Sequence, residues 1–153
     1  MSAVLNPNYA FRPMQEADLD AVMKIEPTVY SHPWTRGNFN DSLQSRHNAW
    51  VLTQQGEIIA YALMMIVLDE AHLLNISVAK QYQQQGFGRL LLTHMIDQAR
   101  ELNTLNMFLE VRVSNIAAIS LYEDIGFVEM SIRRGYYPAP KGREDAVLMG
   151  LAL

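Results

Sequence analysis

The stretch NISVAKQYQQQGFGRLLLTHMIDQAR, Asn75 to Arg100, forces a sharp change in backbone geometry. An apolar strand-like run gives way to a loop holding Gly86 and Gly88, then to a helix with one apolar stripe. The apolar run LNMFLEVRV follows at Leu105–Val113, so the unit reads strand, helix, strand. A right-handed crossover of this kind brings its two strands together in parallel.

A helix start exposes unpaired amide N–H groups at the positive end of a dipole, and glycines before it let backbone approach a phosphate oxygen. Residues Gln84 to Arg89 supply such amides, and Arg89 adds a positive charge. The structural alternative is a tight strand-to-helix turn that uses glycine for geometry alone. Two familiar phosphate loops do not fit: there is no G-x-x-x-x-G-K-[ST], and Leu91 stands where a G-x-G-x-x-G fingerprint needs its third glycine.

The remaining pattern gives an extended YAFRPM and a helix in ADLDAVMKIEPTVY, whose Leu19, Val22, Met23 and Glu26 share a face until Pro27 interrupts it. A loop through His32–Trp34 leads to a short helix capped by Thr35. NAWVLTQ, IIAYALMMIVL and AHLLNISV form three successive strands, read most simply as an antiparallel meander. After the central unit come the helix SNIAAISLYEDI and the strands GFVEMSIRRGYY and DAVLMGLAL, joined through YYPAPKGRED. The order β-α-α-β-β-β-α-β-α-β-β, with no repeat or linker, describes an α/β (α+β) chain with one domain over residues 1–153 and a mixed, mostly antiparallel sheet flanked by helices.

Composition narrows the chemistry. The 153 residues contain no cysteine, which removes disulfides, thiolate metal sites and a cysteine nucleophile together. His32, His47, His72 and His94 lack metal-ligand spacing, so no metal is expected. The formal charge of −4 argues against general nucleic-acid binding and suits an acidic groove for a basic peptide. No apolar run reaches a membrane span, and MSAVLNPNYAFRPM lacks the marks of a secretory leader, so a soluble cytoplasmic protein is expected, with a monomer as the simplest state.

The segment NISVAKQYQQQGFGR, ending in Q-x-x-G-x-G at Gln83, Gly86 and Gly88, resembles the acetyl-coenzyme A signature of the GNAT acetyltransferase superfamily. The element order agrees with that superfamily across nearly the whole chain. LDEAHLLNISV, LEVRVSNIAAISLYEDIGF and IRRGYYPAPKGREDAVLM resemble its bacterial ribosomal-protein-alanine N-acetyltransferases. Three positions depart from the common pattern: Gln84 replaces a basic residue, Lys80 a proline, and Gly135 an asparagine.

The resemblance implies a GNAT fold with a splayed parallel strand pair and acetyl-CoA as cosubstrate. It assigns the pyrophosphate to Gln84, Gln85, Gly86, Phe87, Gly88 and Arg89, the pantetheine arm to the backbone of Ile76, Ser77 and Val78, and a further contact to Asn115. An isolated Asn115 would otherwise cap a helix. Glu110, which alternates with the apolar Leu109 and Val111, becomes the general base instead of a surface partner for Arg112 on its own face. Tyr122 becomes the acid for the leaving sulfur instead of a packing aromatic.

Acetylating an amine needs a neutral nitrogen. An α-amine, with a reference pKa of about 7.7 to 8.0, reaches that state more readily than a lysine at about 10.4. Trp34 and the pair Tyr136 and Tyr137 offer aromatic walls for an acceptor peptide, or serve packing alone. The implied acceptor is the N-terminal alanine of a small-subunit ribosomal protein. Acetylation of lysines or small amines, and acetyl-CoA binding without turnover, are the competing readings.

Overall fold

The structure, a computed structural model, describes residues 8–153; the reading of a missing leader rests partly on residues outside that range. The expected element order is found. It comprises β1 (Tyr9–Pro13), α1 (Leu19–Val29), α2 (Arg36–Gln44), β2 (Asn48–Gln54), β3 (Glu57–Val67), β4 (Glu70–Val78), α3 (Phe87–Glu101), β5 (Asn106–Arg112), α4 (Ile116–Ile125), β6 (Val128–Ala139) and β7 (Gly142–Ala152). The seven strands follow the sheet order β1-β2-β3-β4-β5-β7-β6. As the crossover rule requires, β4 and β5 are parallel, pairing Glu70, Ala71 and His72 with Asn106, Met107 and Phe108.

Two local expectations need correction. Pro27 does not end α1, which continues to Val29. A proline in the last turn removes one helical hydrogen bond, yet Leu19, Val22 and Ile25 bury one face of the helix and the Thr28 hydroxyl donates to Ile25 O at 2.6 Å. The long connection expected through YYPAPKGRED is also mostly strand: β6 runs to Ala139 and β7 begins at Gly142. Hydrogen bonds from Arg112 and Arg143 and to Asp145 order this hairpin, which the polar composition of the segment concealed.

The chain gathers into two compact units. In the first, which extends to Leu63 and includes Asn75–Thr93, α1 packs Leu19, Val22 and Ile25 into a core with Phe39, Val51, Tyr61 and Leu63. Phe39 sits at the centre, its ring 5.0 Å from Trp34 and 5.7 Å from Tyr61. The expected cap is present: Thr35 Oγ1 accepts from Asn38 N–H at 3.1 Å, and Asn38 Oδ1 accepts from Thr35 N–H at 2.9 Å.

In the second unit, Met64–Leu74 with His94–Leu153, β5 alternates buried Met107, Leu109 and Val111 with half-buried Phe108, Glu110 and Arg112. One strand face thus meets the core and the other carries Glu110 and Arg112. β7 lies antiparallel between β5 and β6, with Glu110 opposite Leu148 and Arg112 opposite Ala146.

The buried Asp18 illustrates a pH-dependent tie in the first unit. Arg12 binds both its carboxyl oxygens, at 2.8 and 2.9 Å, and Gln15 N–H adds a third bond at 2.8 Å. The Arg12 hydrogen bonds, opposed by burial, hold the carboxyl below its ordinary value. Its stabilisation is therefore complete above the unfolded pKa of about 3.9 and is lost as pH falls through the lower folded value. Asp18→Asn is expected to cost about 1 kcal/mol at pH 7, kept small by the half-exposed Arg12, and less at pH 3. Urea denaturation at both pH values measures the difference; an equal loss at each would show that the charge is irrelevant.

Candidate active site

The glycine loop begins in a short 3-10 turn, Lys80–Tyr82, and feeds α3. Backbone φ is +61° at Gln84 and +90° at Gly86. A Cβ built at Gly86 would meet nothing within 4 Å, so the backbone conformation, and not crowding by protein, demands glycine there. Leu90 N–H donates to Gly86 O at 3.0 Å, opening the helical ladder and leaving earlier amides outside it. Gly88 lies inside the first turn, beside the exposed Arg89. This is an anion-compatible helix start built from backbone groups.

The preceding strand is oriented by side chains that sequence reasoning missed. Ala79 N–H donates to Ile59 O on β3 at 2.9 Å, and strand alternation turns the backbone groups of Ile76 and Val78 away from β3. The Tyr30 hydroxyl donates to Ile76 O at 2.7 Å, and Gln83 Nε2 donates to Val78 O at 2.9 Å. Gln83, the first residue of the Q-x-x-G-x-G motif, therefore ties the loop to the strand before it. Ser77 points inward, 4% exposed, with Oγ 2.7 Å from Asn75 Oδ1 and 3.0 Å from the Tyr30 oxygen.

Behind these groups lies Glu26, only 1% exposed. Its carboxylate accepts from Tyr61 OH at 2.7 Å, Trp34 N–H at 2.9 Å, and Asn75 Nδ2 at 3.3 and 3.4 Å. Burial raises the Tyr30 phenol to about 12 and drives Tyr61 higher still, so both stay protonated donors at neutral pH. The sequence signal was a carboxylate on the apolar face of a helix. Trp34 itself is half buried, one side of its ring packed against Phe39.

In the second unit, Glu110 projects from the less buried face of β5 and accepts from Arg133 Nη1 at 3.0 Å. Its partner is not Arg112, which binds Glu144 at 3.2 Å and Pro138 O at 2.8 Å. Register explains the exchange: Arg112, Ala146 and Arg133 form one row across three strands, and Glu110 lies on the adjacent row of the same face. Arg133 reaches that row diagonally, while its guanidinium also covers Tyr136, 4.3 Å from the ring centre. The strand order that creates this pair has no local sequence signature.

Arg112 similarly lies 4.6 Å from the Tyr137 ring centre, and the two tyrosines meet edge to face at 4.8 Å. β6 bulges between Arg133 and Tyr137, where Gly135 takes φ +61° and donates its N–H to Asp145 at 2.8 Å. Positive φ suits both glycine and asparagine, which accounts for Gly135 at a position where asparagine was expected.

Asn115 caps α4, its Oδ1 accepting from Ala118 N–H at 3.2 Å. Glu144 accepts from Ser114 N–H at 2.8 Å; hydrogen bonds from Ser114, then Arg112, hold its carboxyl below the ordinary value. Tyr122 is buried and packs its ring 5.7 Å from Phe127, with its backbone carbonyl accepting from Gly126 and Phe127. Among the described residues, no group of three or more His, Cys, Asp or Glu side chains is arranged to hold a metal ion.

Relatives bring these features under one heading. The chain is 45% identical over 140 residues to the [ribosomal protein bS18]-alanine N-acetyltransferase of Escherichia coli strain K12, covering 92% of this chain and 95% of that protein. Its Haemophilus influenzae counterpart is 40% identical over 141 residues, covering 92% and 96%. The crystal structure of the ribosomal-protein-S18-alanine N-acetyltransferase from Escherichia coli superposes with a TM-score of 0.89 at 44% identity, covering 94% of this chain and 93% of that one. Residues 19–127 match the acetyltransferase (GNAT) family. With its mixed sheet, its parallel β4–β5 pair and these relatives, the chain belongs to the GNAT acetyltransferase family.

Proposed function

We propose that this chain, acting as one N-acetyltransferase domain in the cytoplasm, transfers acetyl from acetyl-CoA to the α-amine of a protein N-terminus. The preferred acceptor is the N-terminal alanine of a small-subunit ribosomal protein. The observation carrying this reading is the 45% identity, over 92% of the chain, to a ribosomal-protein-alanine N-acetyltransferase. Residues on β5 and the β6–β7 hairpin supply suitable chemistry.

Acetyl-CoA supplies an acetyl group activated as a thioester. The positive φ at Gly86 and the amides opening α3 suit its pyrophosphate, with Gln84, Gln85, Phe87, Gly88 and Arg89 completing the loop. Along β4, the N–H groups of Ile76 and Val78 share the edge where Tyr30 and Gln83 occupy the carbonyls, and they suit the amide oxygens of the pantetheine arm. Asn115, already a helix cap, presents its exposed amide as an additional contact.

Glu110 takes the proton from the acceptor ammonium or amine, directly or through one water, and Tyr122 gives a proton to the departing sulfur. The ion pair with Arg133 holds the Glu110 carboxylate in place, and a cationic acceptor competes with Arg133 for it. The aromatic residues assigned to the acceptor are Trp34 in the first unit and Tyr136 and Tyr137 in the second. Nothing in these proton transfers requires a metal ion.

Mass spectrometry tests the acceptor assignment with a peptide beginning Ala-Arg-Tyr-Phe and the same peptide with its α-amine blocked and an internal lysine free. One acetyl on the free α-amine alone is expected; modification of lysine alone would overturn the acceptor. Glu110→Gln and Tyr122→Phe should each lower kcat about 100-fold with acetyl-CoA binding retained. A folded double variant with wild-type turnover would remove both from their roles.

A further inference from the structure

The least expected group in the first unit is a carboxylate placed among apolar side chains. Glu26 stands on the same face of α1 as Leu19, Val22 and Ile25, and its three donors, Tyr61, Asn75 and the Trp34 backbone, are all neutral. A buried carboxylate is tolerated only where several directed hydrogen bonds replace water. Once retained, it is a strong and directional acceptor that fixes whatever donates to it.

Two of those donors lead to different parts of the proposed site. The Trp34 N–H belongs to the His32–Pro33–Trp34 segment, ahead of the Thr35 cap of α2. The Asn75 amide belongs to β4. Because its NH2 faces Glu26, its Oδ1 faces Ser77, whose hydroxyl donates to it at 2.7 Å. The same Ser77 proton is shared with the Tyr30 oxygen, 3.0 Å away, and Tyr30 sends its own proton to Ile76 O. A continuous polar path therefore runs from Glu26 through Asn75, Ser77 and Tyr30 to the strand edge.

We propose that Glu26 is a positioning residue that fixes, through separate hydrogen-bonded arms, the Trp34 segment for the acceptor and the Ile76–Val78 edge for acetyl-CoA. This rests on the acetyltransferase reading of those two segments. Tyr61, fully buried on β3, anchors the carboxylate from a third direction. The arrangement makes the two arms separable by mutation, which a residue needed only for folding would not permit.

In Glu26→Gln, one carboxyl oxygen becomes an NH2 that opposes the surrounding donors. KM for acetyl-CoA and KM for the Ala-Arg-Tyr-Phe peptide should each rise about tenfold, with kcat changing less. Adding Asn75→Asp places an acceptor opposite the introduced side-chain amide and still accepts from Ser77. That double variant should recover the acetyl-CoA KM while the peptide KM stays raised.

Tyr30→Phe removes only the last hydroxyl of the β4 arm and keeps the ring. It should raise the acetyl-CoA KM about threefold with the peptide KM unchanged, and it carries the test if Glu26→Gln fails to fold. Unchanged acetyl-CoA KM in Tyr30→Phe, or equal recovery of both constants in the double variant, overturns the inference alone. A wild-type chain that neither binds acetyl-CoA in calorimetry nor acetylates the peptide overturns the functional reading, and the inference with it.

Discussion

A carbonyl withdrawn from water needs a donor, and along the second half of β4 those donors are side chains. Tyr30 serves Ile76, and Gln83 serves Val78. Leaving the partly buried Ile76 carbonyl unmatched would cost about 1–3 kcal/mol, comparable to a sizeable share of a small protein's net stability. Meeting that need fixes several other features at once. Tyr30 must leave the end of α1 at one place, Gln83 must turn back before the glycine loop, and Ser77 and Asn75 must face inward. The edge that results has settled carbonyls and N–H groups in a defined direction, which is a useful surface for a ligand that itself resembles a peptide.

The charged residues divide into two physical classes. Glu26 lies within the first unit among neutral donors, and removing one of them would leave a buried acceptor partly unmatched, a change of about 1–3 kcal/mol. Glu110 and Arg133 instead meet where water still reaches them, with side-chain exposures of 27% and 54%. That pair contributes little to stability and can exchange partners easily. The difference suits their proposed duties: a fixed support should hold one geometry, whereas a proton acceptor must release its resting partner when an amine arrives.

Much of this was legible because it depends on local spacing. Glycines before an amphipathic stripe gave the strand-to-helix turn, alternation on MFLEVRV put Glu110 opposite the core, and the crossover rule gave the parallel pair that β4 and β5 form. Thr35 announced its helix cap. What stayed hidden depends on elements distant in sequence: Glu26 meets Asn75 across 49 positions, and Glu110 meets Arg133 across 23 by way of the row on β7. Pro27 and the polar run after Tyr137 misled for the opposite reason, since local preferences there yield to packing and to cross-strand bonds. Gln83 was noticed only as a motif letter; its bond to Val78 O gives that letter a structural duty.

In the proposed reaction, acetyl passes straight from the thioester to the amine while both substrates are bound. A chain without cysteine lacks the most reactive side-chain nucleophile for an acyl-enzyme, and the roles proposed for Glu110 and Tyr122 need none. Initial rates measured with acetyl-CoA and an alanine-starting peptide varied together test this most directly. Direct transfer gives double-reciprocal lines that intersect, as a ternary complex requires. Parallel lines, the mark of an acetylated enzyme that has released its first product before meeting the second substrate, would contradict it.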